Sequence, residues 1–230
     1  MDSVTQLDLS KLNVRQVNQI LHHELPDSGT QRVEILNPGG LHSIAAGLDR
    51  EITVDLLGHA GYFIGGMNKL ATVTIHGNVG WSVAENIMSG TVRVKGHASE
   101  SAGASGHGGL VVIEGDASSR CGISMKGCDI VVGGSVGHFS AFMAQAGTLV
   151  VCGDAGPNIG DSLYEATIYV RGKIHSLGAD AQEEEMQAED FEQVDHLLTA
   201  AEIDCDSKNF RRVASARSLY HWNADAHQEY

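Results

Sequence analysis

The chain has 230 residues, of which 42% are apolar, so it can bury a core and is not expected to be disordered. Its formal net charge of −14 argues against a nucleic-acid partner, because phosphate neutralisation requires clustered cations. No apolar run is long enough for a membrane span, the acidic first residues do not resemble a secretory signal, and the four cysteines have no CxxC spacing, so we expect a reduced, cytoplasmic chain.

Residues 1–38 are interpreted as an N-terminal cap, with a helix predicted over residues 13–25. Asn13 suits the N-cap position, and Gln16 stands three residues later as its reciprocal partner. Pro26 is expected to end the helix. The apolar residues between them have helical spacing: Val14, Val17, Ile20, Leu21 and Leu25.

A repeat of 19 residues occupies residues 39–181. Eight glycines recur at this spacing: Gly39, Gly58, Gly77, Gly96, Gly115, Gly134, Gly153 and Gly172. Small residues recur seven positions later: Ala46, Gly65, Ala84, Gly103, Gly122, Ala141, Gly160 and Ala179. A third small series follows thirteen positions after the glycine: Ala71, Gly90, Gly109, Cys128, Gly147 and Ala166. Three small positions per repeat indicate a triangular coil whose backbone bends sharply or approaches its neighbour closely.

The residues before each repeat glycine alternate in polarity, which indicates a β-strand. The inward side chains are predicted to be Val54 and Leu56, Val73 and Ile75, Val92 and Val94, Val111 and Ile113, Ile130 and Val132, Leu149 and Val151, and Ile168 and Val170. The fold class is therefore predicted to be all-β: a parallel β-helix of about seven 19-residue coils, with helical caps. The crossover rule favours the right-handed form.

Residues 182–230 are predicted to form an acidic helical tail. Between residues 183 and 206 there are ten acidic residues and no Lys or Arg. Apolar residues with helical spacing lie inside that stretch: Met186, Phe191, Val194, Leu197 and Leu198. A second short helix is predicted over about residues 208–219, followed by Tyr220 and Trp222.

One outward position of the strands carries an apolar series, which we call the outward ladder. It consists of Val112, Val131, Val150 and Tyr169, whereas the same position holds Asp55, Thr74 and Arg93 in earlier coils. A sheet face left in water should not have this composition. The ladder is expected to contact either a terminal helix of this chain or another protein.

The histidines and cysteines are not spaced as metal ligands or nucleophiles. His59 and His97 share a repeat position but lie two coils apart, about 10 Å, which is too far to share an ion. His22 and His23 are adjacent on the predicted helix and face different directions. The coil places Cys121 and Cys128 at different corners and Cys152 on the outward side, and none has a neighbouring His and acid.

The glycine clusters and carboxylates also fail to predict a site. A phosphate-binding loop requires a preceding strand and a following helix, whereas each glycine here recurs in register with the coil. A β-helix glycosidase requires acids stacked on one outward face, but Asp116, Asp154 and Asp161 are scattered over turns. We therefore assign no catalytic, cofactor-binding or metal-ligating residue to this chain.

Several stretches resemble the GXGXG domain at the C-terminal end of the glutamate synthase large subunit. They are residues 58–68 (GHAGYFIGGMN), 84–90 (AENIMSG), 115–127 (GDASSRCGISMKG), 137–147 (GHFSAFMAQAG), 152–156 (CGDAG) and 160–166 (GDSLYEA). The length and the tail at residues 215–220 (SARSLY) are more narrowly similar to the GXGXG subunit of N-methylglutamate synthase (methylamine–glutamate N-methyltransferase). The resemblance spans about residues 33–222 and departs at Lys69-Leu70-Ala71, where relatives often have further glycine.

The resemblance implies a right-handed parallel β-helix that acts as a non-catalytic scaffold subunit. It implies two kinds of partner, an amidotransferase-like subunit and a synthase-like subunit that carries FMN and an iron–sulfur cluster. The implied reaction converts glutamate and methylamine to N-methylglutamate and ammonia. No cofactor is expected on this chain, and no nucleic acid or membrane partner is expected.

Other functions stay open at this level. An ammonia-transferring glutamate synthase is the alternative within the same class, and the β-helix subunit of formylmethanofuran dehydrogenase is a more distant relative. A polysaccharide-cleaving β-helix enzyme or an independent binding module belongs to a different class.

Overall fold

The computed structural model describes residues 4–25 and 31–218, which form a β-solenoid around one eleven-stranded sheet. The strands are β1 Val4–Asp8, β2 Arg32–Leu36, β3 Thr53–Leu57, β4 Thr72–Ile75, β5 Thr91–Val94, β6 Leu110–Ile113, β7 Lys126–Val132, β8 Ala146–Val151, β9 Thr167–Val170, β10 Ala181–Glu184 and β11 Arg211–Ser215. In the sheet, strands β1 to β9 lie side by side in sequence order. Strand β11 lies next to β9, and β10 is the last strand. All pairings from β1 to β9 are parallel.

From β3 to β9, each strand pairs with the residues 19 positions further along the chain. Val73 lies opposite Val92, which lies opposite Val111. Every predicted inward side chain is fully buried in one continuous core. The predicted parallel β-helix is therefore confirmed, and the 19-residue period is the length of one coil.

The small residue of the second corner combines a left-handed backbone with a side chain that faces the core. In each regular coil, the residues five, seven and nine positions after the repeat glycine have positive φ, as in Phe139, Ala141 and Met143 (φ 54°, 56° and 53°). The middle residue faces the core: a Cβ on Gly65 would lie 3.1 Å from Val92 Cγ2. Only Gly or Ala fits such a site, because a larger side chain adds bulk to a strained backbone.

The fixed 19-residue register fails at both ends of the solenoid. Gly65 N donates to Ile44 O, so Ala45, and not the predicted Ala46, occupies the second corner of the first coil. At the other end Gly178, and not the predicted Ala179, takes that corner, because its N–H donates to Ile159 O. The second corner of the first coil is therefore one residue out of register, and the last coil is one residue short. A count of residues at a constant 19-residue spacing could not detect either shift.

The predicted N-terminal helix is present as α1 (Val14–Gln19) followed by one π-helical turn (Ile20–Glu24). Its predicted cap is confirmed: Asn13 Oδ1 accepts from Gln16 N, and Gln16 Oε1 accepts from Asn13 N, both at 2.9 Å. Asn18 fixes the helix to the first coil, because its side chain donates to Ser43 O and accepts from Ala45 N. Pro26, the predicted end of the helix, lies outside the described residues.

Four strands of the sheet were not predicted: β1 and β2 lie within residues 1–38, before the repeat begins, and β10 and β11 lie at or beyond its end. Strands β1 and β2 pair in parallel with each other, and β2 continues the stack onto β3. Buried Leu7 and Ile35 extend the core into them. The sheet thus reaches further towards the N-terminus than the glycine repeat does.

The outward ladder is covered by the chain's own helix α2 (Ala188–Ala200). The residues of the C-terminal segment that pack on it are buried: Val194, Leu197, Leu198, Ala201 and Phe210. Polar contacts fix both ends of the helix. Tyr169 Oη on β9 donates to Asp190 Oδ1 at 2.6 Å, and Arg93 on β5 lies 3.9 Å from Glu202. Helix α2 therefore runs back along the stack from β9 to β5.

The second C-terminal helix predicted at residues 208–219 is wrong. A 3₁₀ turn (Ser207–Asn209) leads instead into strand β11, which inserts antiparallel between β9 and β10. The basic residues of the segment suggested a solvated helix, but Val213 and Ser215 are buried in the alternating pattern of a strand. The open edge of the last coil supplies the hydrogen-bonding partners that override local propensity. Tyr220 and Trp222 lie outside the described residues.

Replacing Gly115 by Val is expected to be severely destabilising. Gly115 does not have a positive φ, but its Cβ would lie 2.8 Å from Gly96 O in the preceding coil. Forcing backbone apart in a packed stack costs about 1–3 kcal/mol or more, which lowers Tm by several degrees. Thermal unfolding monitored by circular dichroism measures the change. Thr72→Val, at an exposed strand position, is the control and should melt with the wild type; equal melting of both variants would contradict the stacking geometry.

Replacing Val131 and Val150 together by Asp is expected to release the C-terminal segment while the coils stay folded. Both side chains are fully buried under α2, and each loses about 1.5–3 kcal/mol of apolar burial when a charge is introduced. Limited proteolysis should cut the variant between residues 188 and 210 much faster than the wild type. Thr74→Asp, on the outward face of an uncovered coil, should leave the cleavage rate unchanged. Equal protection of the double variant would show that the ladder does not retain α2.

Candidate functional site

After six of the eight repeat glycines, the next residue is polar and its side chain accepts a backbone hydrogen bond from the next coil. We call this series the turn ladder, and its members are His59, Asn78, His97, Asp116, Ser135 and Asp154. Their acceptor atoms lie 2.7–2.9 Å from the backbone nitrogens of the residues 19 positions later. The turn ladder was not predicted, although its signal is present in the sequence: every member carries a hydrogen-bond acceptor at the same repeat position.

The turn ladder gives His59 and His97 a structural role. Each uses its Nδ1 atom to accept a turn N–H, and the two lie on coils separated by the coil of Asn78. Among residues 4–25 and 31–218, no three His, Cys, Asp or Glu side chains converge as metal ligands do. The prediction that no metal-ligating residue can be assigned stays a prediction for the complete chain.

The cysteines do not form the donor set of an iron–sulfur cluster. Cys121 and Cys128 lie in the main core, whereas Cys152 and Cys205 lie under α2 in the second cluster. Burial raises the pKa of Cys121 and of Cys128 to about 12, and burial also raises the pKa of Cys152. The four thiols are therefore divided between two separate parts of the described structure and do not converge on one point.

Carboxylates on the uncovered part of the sheet are engaged in ion pairs. Asp55, which is almost completely buried, lies 3.1 Å from Arg32 and 2.8 Å from His76. Burial raises the pKa of Glu114, but hydrogen bonds from Lys95 and Arg93 outweigh it and hold the pKa below its usual value. These contacts join adjacent strands and bind the carboxylates of Asp55 and Glu114 to basic side chains.

A polar cavity of about 370 Å³ lies at the C-terminal end of the sheet. Two arginines line it, but both are paired with acids: Arg212 contacts Glu184 and Asp190, and Arg217 lies 3.6 Å from Glu165. The paired charges fix β11 against the strands beside it. The cavity therefore lacks the uncompensated cation that an anionic substrate would require.

Comparison with known proteins identifies relatives of this chain. The family model described as "GXGXG motif" matches residues 40–227. The chain is 50% identical over 220 residues to Protein GlxC of Rhizobium meliloti (strain 1021), and the match covers 95% of this chain and 96% of that protein. No solved structure matches the chain significantly. In the described part of the chain, no helix has the length and apolarity that crossing a bilayer requires.

Native thiol labelling is expected to detect a single reactive cysteine. Cys205 is half-buried. Cys121, Cys128 and Cys152 are buried, and burial raises the pKa of each of these three thiols. With the disulfide reagent DTNB at pH 8, about one thiol should react quickly in the folded protein and all four in denaturant. Cys205→Ser should abolish the fast reaction. Rapid labelling of Cys121 or Cys128, located by mass spectrometry, would contradict the packing of the core.

Proposed function

Because the chain belongs to the GXGXG family, we propose that it is a non-catalytic scaffold subunit of a multi-subunit glutamate synthase-like complex. The observation that supports this proposal is that the polar side chains make hydrogen bonds and ion pairs within the fold. The turn ladder bonds coil to coil, the outward carboxylates pair with Arg and Lys, and the core thiols are protonated. A protein that uses these polar side chains to join its own coils and strands is suited to positioning other subunits.

The complex we propose is N-methylglutamate synthase, a cytoplasmic enzyme that converts glutamate and methylamine to N-methylglutamate and ammonia. The sequence similarity of the tail at residues 215–220 supports this choice over other members of the class. An amidotransferase-like subunit would handle the nitrogen, and a synthase-like subunit would carry FMN and an iron–sulfur cluster. No step of the reaction is assigned to a residue of this chain.

The solenoid is physically suited to the scaffold role. Parallel strands of fixed register stack through backbone hydrogen bonds, so outward side chains stand at constant spacings of about 4.8 Å. A surface fixed in this way by backbone hydrogen bonds before binding would lose little conformational entropy on association. Partner subunits bound along it would keep a constant separation, which transfer of a small nitrogen compound between active sites requires.

Purification from the native cell tests the proposal. A tagged chain should co-purify with a coloured complex that forms N-methylglutamate from glutamate and methylamine. Activity with glutamine-derived ammonia, and none with methylamine, would instead indicate an ammonia-transferring glutamate synthase. A chain that purifies alone and colourless from cells growing on methylamine would refute membership of either complex.

The chain purified by itself is expected to contain neither flavin nor iron in stoichiometric amount. The thiols are divided between two separate clusters, and the described residues offer no converging metal ligands. Metal analysis and the visible absorption spectrum provide the measurement, with the co-purified complex as the positive control. One FMN or one iron–sulfur cluster per chain would contradict the proposed division of labour.

A further inference from the structure

The exposed large apolar side chains are confined to the N-terminal half of the rod. Within the described residues they all lie between positions 4 and 88: Val4, Leu41, Leu57, Tyr62, Met67, Leu70, Trp81 and Met88. In the C-terminal half, the apolar outward ladder is covered by α2. Among the described residues, helix α2 covers the outward ladder, whereas these N-terminal side chains are exposed.

Two of these residues form a groove at one edge of the rod, which we call the aromatic groove. Tyr62 is 49% exposed and Trp81 is 63% exposed, although both stand on hydrogen-bonded coil backbone. The groove encloses about 480 Å³ and is lined by Ser43, Tyr62, Phe63, Trp81, Ser82 and Glu85. Leaving a tryptophan so exposed has a cost in apolar hydration that contact with a partner removes.

The groove is rigid before any partner binds. Phe63 N donates to Trp81 O at 2.8 Å, so the two coils that carry Tyr62 and Trp81 are joined at the base of the groove. The ring of Tyr62 stacks on His42 with a centroid separation of 3.9 Å. Preformed aromatic surfaces of this kind are typical of binding hot spots, because little side-chain entropy remains to be lost.

The charge of the groove defines the chemistry of its ligand. Glu85 is the acidic residue among the six that line the groove. None of the six lining residues carries a positive charge, and the chain as a whole has a net charge of −14. A guanidinium or ammonium group can lie over an aromatic ring and reach a carboxylate at the same time.

We propose that the aromatic groove is the docking site for a basic segment of a partner subunit, one that places an Arg or Lys beside apolar side chains. This inference rests on the proposed function, because the partner is a subunit of the glutamate synthase-like complex. The basic side chain would contact Glu85 and the ring faces of Tyr62 and Trp81. The apolar side chains beside it would fill the remainder of the groove.

Binding of the immobilised chain to the co-purified partner subunits, measured by biolayer interferometry, tests the inference. Tyr62→Ser with Trp81→Ser should weaken binding at least tenfold, and Glu85→Lys should weaken it by a comparable factor. Leu70→Ser is the matched control: Leu70 is 51% exposed but lies outside the groove, so its variant should bind within twofold of the wild type. Thermal melts establish that each variant is folded.

Tryptophan fluorescence supplies an independent readout. Trp222→Phe leaves Trp81 as the sole tryptophan, and its emission should shift to the blue and resist acrylamide quenching in the complex. Unchanged emission, or a double variant that binds as tightly as the wild type, would overturn the groove as docking site while leaving the proposed function intact. Failure of the wild-type chain to bind any of those subunits would overturn both. A dimer of the isolated chain that Trp81→Ser dissociates would assign the groove to a second copy, and would also overturn the inference.

Discussion

The close approach of backbone to backbone at the repeat glycine is the constraint on which the rest of the solenoid depends. A Cβ at Gly77 would lie 2.9 Å from Gly58 C, and one at Gly153 would lie 2.6 Å from Gly134 C, so the stacked turns have no room for a side chain. Because each turn must lie directly over the last, the coil length is held at 19 residues and every other position is repeated along the rod. The strands, the buried core, the polar turn ladder and the apolar outward ladder all follow from this stacking.

The same stacking determines what the polar residues can do. A side chain at a given point of the coil has its equivalent about 4.8 Å away, close enough to bond the next turn but arranged in a line and not in a cluster. His59, Asp116 and Asp154 therefore bond backbone N–H groups of the next coil. Convergent sets of ligands or catalytic groups are difficult to build on such a surface without an insertion between coils. Association through surface patches, as in the aromatic groove, is the function to which repeated positions are better suited.

The central coils could be predicted from the sequence because their key positions obey local rules: glycine where turns stack, Gly or Ala where a left-handed backbone faces the core, and alternating apolar residues in strands. The inward positions from Val54 to Val170 are buried as predicted. The ends could not be predicted in this way, since their structure depends on tertiary contacts. Strand β11 forms because β9 offers an unpaired edge. The basic residues of β11 carry no sequence signal for that edge. Similarly, the apolar outward ladder predicted a covering element, but only the packing of Leu197 and Leu198 identifies α2 as that element.

Helix α2 has a consequence for how the protein unfolds. In a simple solenoid each coil contacts only its neighbours, so coils can fray one at a time from an end. Here α2 lies along the stack, with Asp190 bonded to β9 and Glu202 near Arg93 on β5, and its apolar face packs on Val112, Val131, Val150 and Tyr169. Loss of the last coil must therefore disturb contacts in several coils at once. The C-terminal half should open as one cooperative unit, whereas the N-terminal coils, which have no lengthwise helix over the sheet, retain the nearest-neighbour behaviour of an ordinary repeat protein.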